Sequence, residues 1–372
     1  MAFAVLTAGC GDSLAPTHMH PSFAAASGSG ITLDQSEAAV NIGVPWAAGG
    51  THVGKEFDAN PHLGDAIVAT FVWRGTSNTI TNVTDHLEDG TPVGNTYTLV
   101  DYVTSGGWSM ATYVATNVRN FPDPAPNPDK QLAVHAIFSD DITDAGEMIT
   151  AYNGVSPVFS SALGAHRIAS GTGSTTTIAD PGAISVTAGA LAYGFTFASA
   201  PADLTDAPGF APITAVWNST DKIEGQYAVA SADGSEDPQW TWSFQNPTTW
   251  FASVLALNPQ KATHVAFQVQ PSFTLLPGQA IAPAVQVAAV DDQGNTVGDF
   301  AGPVTIGLGH DGSLLHNAHL GGTLVQNAVN GVATFSNLSL DQAGVGYTLQ
   351  ASATGLMSGT SNPFNVTLPA VP

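Results

Sequence analysis

Residues 65–74 (DAIVATFVWR) and 109–117 (SMATYVATN) decide the fold class of this chain. The first is a short apolar run set between Gly64 and Gly75, too short for a core helix and bounded as strands are. In the second, Met110, Thr112, Val114 and Thr116 face one way while Ala111, Tyr113 and Ala115 face the other, which is the period of two of a pleated strand. Working outward, residues 96–104, 131–139, 146–152, 183–187, 191–198, 213–218, 225–231, 240–245 and 250–257 carry the same signature. Glu88-Asp89-Gly90, Asp233-Gly234 and residues 122–128 (PDPAPNP) supply the Gly, Asn and Pro that turns require. No stretch carries the periodicity of a three-turn amphipathic helix. Eleven or more short strands separated by turns predict an all-β, jelly-roll-like β-sandwich over residues 31–259, built from two sheets.

Composition narrows the function classes. The 372 residues carry 29 acidic against 7 basic side chains, a net charge of −22, and only 10% are charged. Seven basic residues cannot neutralise a run of phosphates, so nucleic-acid binding is excluded, and attraction to anionic lipid is disfavoured on the same ground. With Cys10 as the one cysteine, no disulfide within the chain and no Cys-based metal cluster can form. No run reaches the 18 or so apolar residues that span a bilayer.

A boundary falls at Asn258-Pro259-Gln260-Lys261, after which the chain contains no Lys or Arg and five Asp. Strand-like runs at 264–270, 284–291, 304–308, 331–338 and 347–354 predict a second β-sandwich. Residues 262–272 (ATHVAFQVQPS), 281–287 (IAPAVQV), 291–295 (DDQGN), 330–340 (NGVATFSNLSL) and 343–351 (AGVGYTLQA) together resemble a bacterial immunoglobulin-like repeat over residues 262–368. That resemblance implies an extracytoplasmic spacer or interaction module without catalysis. Read on their own, residues 292–295 form a hairpin turn, and Tyr347 sits where a tyrosine corner would pack. The first region resembles, less specifically, a sandwich domain of secreted bacterial proteins. The likeness rests on Gly64–Val68, Val83-Thr84-Asp85, Gly94–Thr98, Tyr152/Gly154/Val155 and the closing run from Trp250 to Pro259. At the start, residues 4–11 (AVLTAGCG) resemble the end of a bacterial lipoprotein signal, which implies a lipidated Cys10 followed by a tether to residue 30. The alternative for the same residues is a frayed apolar terminus with an incidental cysteine.

Candidate sites are few. Asp140, Asp141, Asp144 and Glu147 place four hard oxygen ligands within eight residues, a set suited to Ca²⁺ but without EF-hand spacing. The alternative is a solvated inter-strand loop. Asp85, Glu88 and Asp89 form a second acidic turn. His310, His316 and His319 with Asp311 offer Zn²⁺ or Cu²⁺ ligands in an unrecognised spacing. Gly28-Ser29-Gly30 and residues 171–174 (GTGS) read as flexible loops, not nucleophile elbows. Trp108, beside Gly106-Gly107, and the Trp240/Trp242 face are the candidate platforms for a glycan or a protein partner, weighed against a tryptophan-rich core.

No active site and no cofactor emerge, so the expected protein is not an enzyme. The leading expectation is a lipid-anchored, extracytoplasmic structural or accessory subunit, in the periplasm or at the cell surface. It would dock on the outward face of a membrane protein complex, with respiratory or photosynthetic assemblies among the hosts. A glycan-binding or adhesion lipoprotein is the alternative, and a Ca²⁺-dependent hydrolase the third class.

Overall fold

The computed structural model describes residues 30–40, 52–122, 130–272 and 274–368. Cys10 and the tether lie outside the described residues, as do Gly28-Ser29 and Trp46. Through residue 153 the strands are β1 (Thr32–Val40), β2 (His52–Glu56), β3 (Ala66–Arg74), β4 (Ile80–Leu87), β5 (Thr98–Ser105), β6 (Trp108–Ala115), β7 (Leu132–Phe138) and β8 (Ala145–Asn153). A single helical turn, α1 (Phe159–Ala162), leads into β9 (Leu163–Gly173), β10 (Thr176–Ala179), β11 (Ile184–Val186), β12 (Leu191–Ala198) and β13 (Asp203–Thr205). Then follow β14 (Ala211–Trp217), β15 (Lys222–Val229), β16 (Gly234–Glu236), β17 (Trp240–Ser243) and β18 (Thr248–Leu257).

The all-β reading holds, and the sheet order adds a repeat. Strands β1–β8 form a five-stranded sheet, β1-β8-β3-β6-β5, facing a three-stranded sheet, β2-β7-β4. The next ten strands repeat that order as β14-β15-β12-β18-β9 facing β10-β17-β13, with β11-β16 as an added two-stranded sheet. Residues 31–259 therefore hold two jelly-roll-ordered sandwiches, where the sequence reading assigns one. Their five-stranded sheets pack face to face. Val68, Val72, Met110, Met148 and Tyr152 from the first meet Tyr193, Phe195, Phe197, Phe251 and Leu255 from the second in one buried cluster.

This stacking explains the sequence pattern. β3, β8, β12 and β18 lie between a sandwich core on one side and the shared layer on the other, so nearly every position is buried and alternation disappears. On β3, Ile67, Ala69, Phe71 and Trp73 face the first sandwich's own core, with Val134 and Phe138 of β7. In the second sandwich, Trp240 and Trp242 of β17 fill the equivalent space with Ala179, Ala198 and Ala252. The shared layer is aromatic: Phe197 lies 4.8 Å from Trp108 and 5.4 Å from Phe251, centroid to centroid. Polar links cross it as well: Thr70 of β3 meets the Tyr193 hydroxyl at 3.2 Å, and Asp101 of β5 meets His166 of β9 at 2.8 Å.

The C-terminal strands are β19 (His264–Val269), β20 (Thr274–Leu275), β21 (Val285–Val290), β22 (Pro303–His310), β23 (Leu320–Gly321), β24 (Val325–Asn327) and β25 (Val332–Phe335). They end with β26 (Ser339–Leu340), β27 (Gly344–Ala353), β28 (Gly359–Thr360) and β29 (Phe364–Val366). Sheet β19-β21-β25 packs on sheet β20-β29-β27-β22-β24 around Val285, Val287, Ile306, Phe335, Leu349 and Phe364. Tyr347 is buried, and its hydroxyl donates to the Gln342 carbonyl at 3.1 Å, the back-reaching bond of a tyrosine corner. The turn after β21 also forms as read. Asp291 Oδ1 accepts the Gln293 and Asn295 amides at 3.0 and 2.8 Å, and Gly294 takes φ 84°.

Candidate functional site

The tryptophan platforms do not form. Gly106 and Gly107 make the β5–β6 turn with φ 57° and 84°, and Trp108 opens β6, where its ring turns inward against Phe197. Trp240 and Trp242 are fully buried. All three are core residues: Trp108 packs in the layer shared by the two sandwiches, and Trp240 and Trp242 pack in the second sandwich's own core. Of the described tryptophans, Trp217 is the exposed one, on β14 at the edge of its sheet, with Lys222 Nζ 5.6 Å above its ring. Nor do Gly171 and Gly173 belong to a loop. They end β9, and a Cβ at Gly171 would lie 2.6 Å from the Trp250 ring.

The predicted acidic cluster does not converge either. Asp140 and Asp141 stay exposed before β8. Asp144 faces the second sandwich, where it raises the carboxyl of Asp221, which burial first and Asp144 second push to about 6. Glu147 points the opposite way, into the first sandwich core, where neither of its buried oxygens has a hydrogen-bond partner among the described residues. Burial lifts its carboxyl well above the ordinary range, with Lys55 opposing. Asp140 and Asp141 lie in the loop ahead of the strand, and alternation turns Asp144, just before β8, and Glu147, within it, to opposite sides. Asp85, of the second acidic turn, is a buried anchor that accepts the Gly94 amide at 2.8 Å and the Asn95 side chain at 2.7 Å.

Among the described residues, one group of three ligand-type side chains does converge, and the sequence reading missed it. Asp34, His62 and Asp65 bring one ligand atom each to within 4.8 Å of the others. A histidine pair occupies the outer face of β2-β7-β4. The His86 and His135 rings stack at 4.2 Å beside a cavity of about 180 Å³ lined also by Lys55, Glu56 and Glu88. Burial, then His86 and His52, lowers His135 to about 4.

The surface feature that stands out lies in the C-terminal sandwich. Leu314 is 92% exposed, Leu315 73% and Val345 72%. The loop that carries the leucines is built to hold them out. Asp311 Oδ1 accepts the Ser313 amide at 2.9 Å and Oδ2 accepts the Ala318 amide at 3.0 Å. His316 Nδ1 donates to the Asp311 carbonyl at 3.0 Å. The loop backbone leans on the start of β27, with Val345 N donating to the Gly312 carbonyl at 3.0 Å. That approach needs glycine on both sides: a Cβ at Gly312 would sit 2.3 Å from the Val345 carbonyl oxygen, and one at Gly344 2.3 Å from that of Gly312. The three histidines read as metal ligands do not converge: His310 ends β22, and the other two have separate partners. His316 bonds Asp311, while His319 meets Asp341 at 3.3 Å. Two leucines and a valine are thus fixed in water on an ordered tip.

No protein-family model and no curated protein matches the chain. Among solved structures, it is similar to the crystal structure of the STIV MCP, at TM-score 0.18 and 8% identity over 61% of this chain and 96% of that one. It is also similar to the BSP domain of a biofilm associated protein, at TM-score 0.16 and 9% identity over 92% and 68%. At these scores neither likeness adds to what the strand order shows. No helix among the described residues is long and apolar enough to cross a membrane.

Proposed function

We propose that this chain is a non-catalytic, extracytoplasmic structural or binding subunit that docks through the Leu314–Leu315–Val345 tip on the outward face of a membrane protein complex. The rigid exposure of that tip carries the reading. Apolar side chains held in water on a fixed loop are what a partner's pocket buries, and buried anchors dominate binding energy. The residues from 262 onward contain no Lys or Arg and five Asp. The complementary site is accordingly an apolar pocket rimmed by basic residues, and an anionic bilayer is the wrong charge for this surface. The bacterial immunoglobulin-like resemblance supports a module that presents loops at the end of a sandwich, and lipidation at Cys10 would place it at a membrane. A respiratory or photosynthetic complex fits this role.

The test is recovery of the native protein from gently solubilised membranes, compared with the Leu314→Glu/Leu315→Glu double variant. Wild type should bring down a stoichiometric membrane complex that crosslinks to residues 312–317, and the double variant should lose it. Equal recovery by both would overturn the tip as the docking element. Glycan binding that Trp217→Ala abolishes, with no protein complex recovered, would favour the adhesion reading.

A further inference from the structure

The Asp34–His62–Asp65 group lies far from the tip in sequence, and its argument is independent of docking. Each member comes from a different segment: Asp34 from β1, His62 from the loop after β2, and Asp65 from the residue before β3. A local irregularity aims the first. The register of β1 against β8 shifts between Leu33 and Gln35, so Asp34 sits at the bulge, and bulges re-aim side chains out of the strand's alternation. Asp34 Oδ2 meets both the His62 amide, at 2.9 Å, and His62 Nδ1, at 3.0 Å. Asp65 Oδ2 accepts the same amide at 3.2 Å. Asn153 Nδ2 holds Asp65 Oδ1 at 3.1 Å from outside the group, in the position of the outer-shell donors that orient ligating carboxylates.

Asp65 is fully buried and lies against the Asp34 carboxylate, and the half-exposed His62 imidazole faces the pair. Two carboxylates forced together require a proton or a cation between them. The imidazole decides which cation suits. Ca²⁺ and Mg²⁺ prefer all-oxygen sets, whereas Zn²⁺ and its neighbours accept one nitrogen and two carboxylate oxygens.

We propose that Asp34, His62 and Asp65 bind a divalent transition-metal cation of the Zn²⁺ class, which pins the bulge of β1 to the loop entering β3. Three protein ligands leave the remaining positions to water. The site is structural, tying the start of β1 across the end of β8 to the start of β3.

The test uses the full chain without an affinity tag, with Zn²⁺ as the probe. Saturating Zn²⁺ should raise Tm by about 2–4 °C, the shift expected for a ligand that binds only the folded state of a protein this size. Calorimetric titration should give one site per chain. The exposed His62→Ala is the decisive variant, because it removes a ligand while keeping the amide that bridges the carboxylates. It should abolish the Tm rise, and Asp34→Asn should weaken it. Co²⁺ provides a second readout, with visible absorption in wild type that His62→Ala lacks. No Tm rise with Zn²⁺, or the same rise in His62→Ala because the ion binds the His86/His135 face, would overturn the proposal. Either outcome leaves the docking reading untouched.

Discussion

The jelly-roll pair and the C-terminal sandwich use apolar side chains for opposite ends. In the pair, the largest rings lie where two sandwiches share a layer, and Trp73, Trp240, Trp242, Tyr193, Phe195, Phe197 and Phe251 are all buried there or in the flanking cores. The C-terminal sandwich has a core of Val, Ile, Leu, Ala, Phe and Tyr347 without tryptophan, and sets Leu314, Leu315 and Val345 into solvent. A region that spends its aromatics on internal layers is built for rigidity. A region that exposes aliphatics on a braced loop is built to meet something. The docking proposal rests on that difference, although the candidate tryptophans all lie in the first region.

The strongest way to break this comparison is to cut into the shared layer. Phe197→Ala removes a ring packed on Trp108 and Phe251 and should cost about 3–5 kcal/mol. Because both five-stranded sheets contribute to that cluster, both jelly rolls should lose stability in one calorimetric transition. Phe335→Ala, a comparable deletion in the C-terminal core, should lower a separate transition. A Phe197→Ala protein in which strands β1–β8 melt as in wild type would show that the layer is contact without shared stability.

A smaller effect sharpens the picture of the first sandwich core, where Glu147 is buried with both oxygens unpartnered among the described residues. Glu147→Met keeps the volume and removes the carboxyl, so it should stabilise the protein at pH 7 by about 1–3 kcal/mol. The sign of its pH dependence follows from burial. The folded carboxyl holds its proton well above 4.5, the ordinary value at which the unfolded chain releases it. Between those values the folded state binds more protons, so wild-type stability falls as pH rises, and the advantage of Glu147→Met should grow from pH 5 to pH 8. Urea midpoints across that range measure it. A constant or negative difference would mean that Lys55 compensates the ionised carboxylate fully.

Fold class was legible because strand periodicity and turn residues are local signals. The 109–117 alternation, the Asp291–Asn295 turn and the Tyr347 corner all formed where the residues placed them. The duplication of the jelly roll was not legible. Strand order is a non-local property, and β9 (LGAHRIASGTG) hides a long strand behind three glycines, one of which makes room for Trp250. Site assignment failed for a related reason. Spacing along a strand does not report facing, so Asp144 and Glu147 diverge, and Trp240 and Trp242 share a face that proved to be the inner one. The Asp34–His62–Asp65 group needs a bulge and two loops to assemble, and only the short His62-x-x-Asp65 interval hinted at it. Leu314-Leu315 was visible as a dipeptide, yet its exposure depends on how Asp311, Gly312 and Gly344 fold the loop around it.

The last test contrasts leucines within one sandwich and expects almost nothing from the tip. Leu349 lies in the C-terminal core, and Leu349→Ala should cost about 2–5 kcal/mol. Leu314→Ser and Leu315→Ser remove as much apolar surface from side chains that already stand in water. Each should leave the unfolding midpoint within about 0.5 kcal/mol of wild type and should raise solubility. If either serine variant costs as much as the core deletion, the leucines pack on the sandwich in solution, and the tip is a lid over the core, not a contact held ready for a partner. If both are silent in stability, their apolar surface does nothing for the isolated fold, which is the condition a docking element must satisfy.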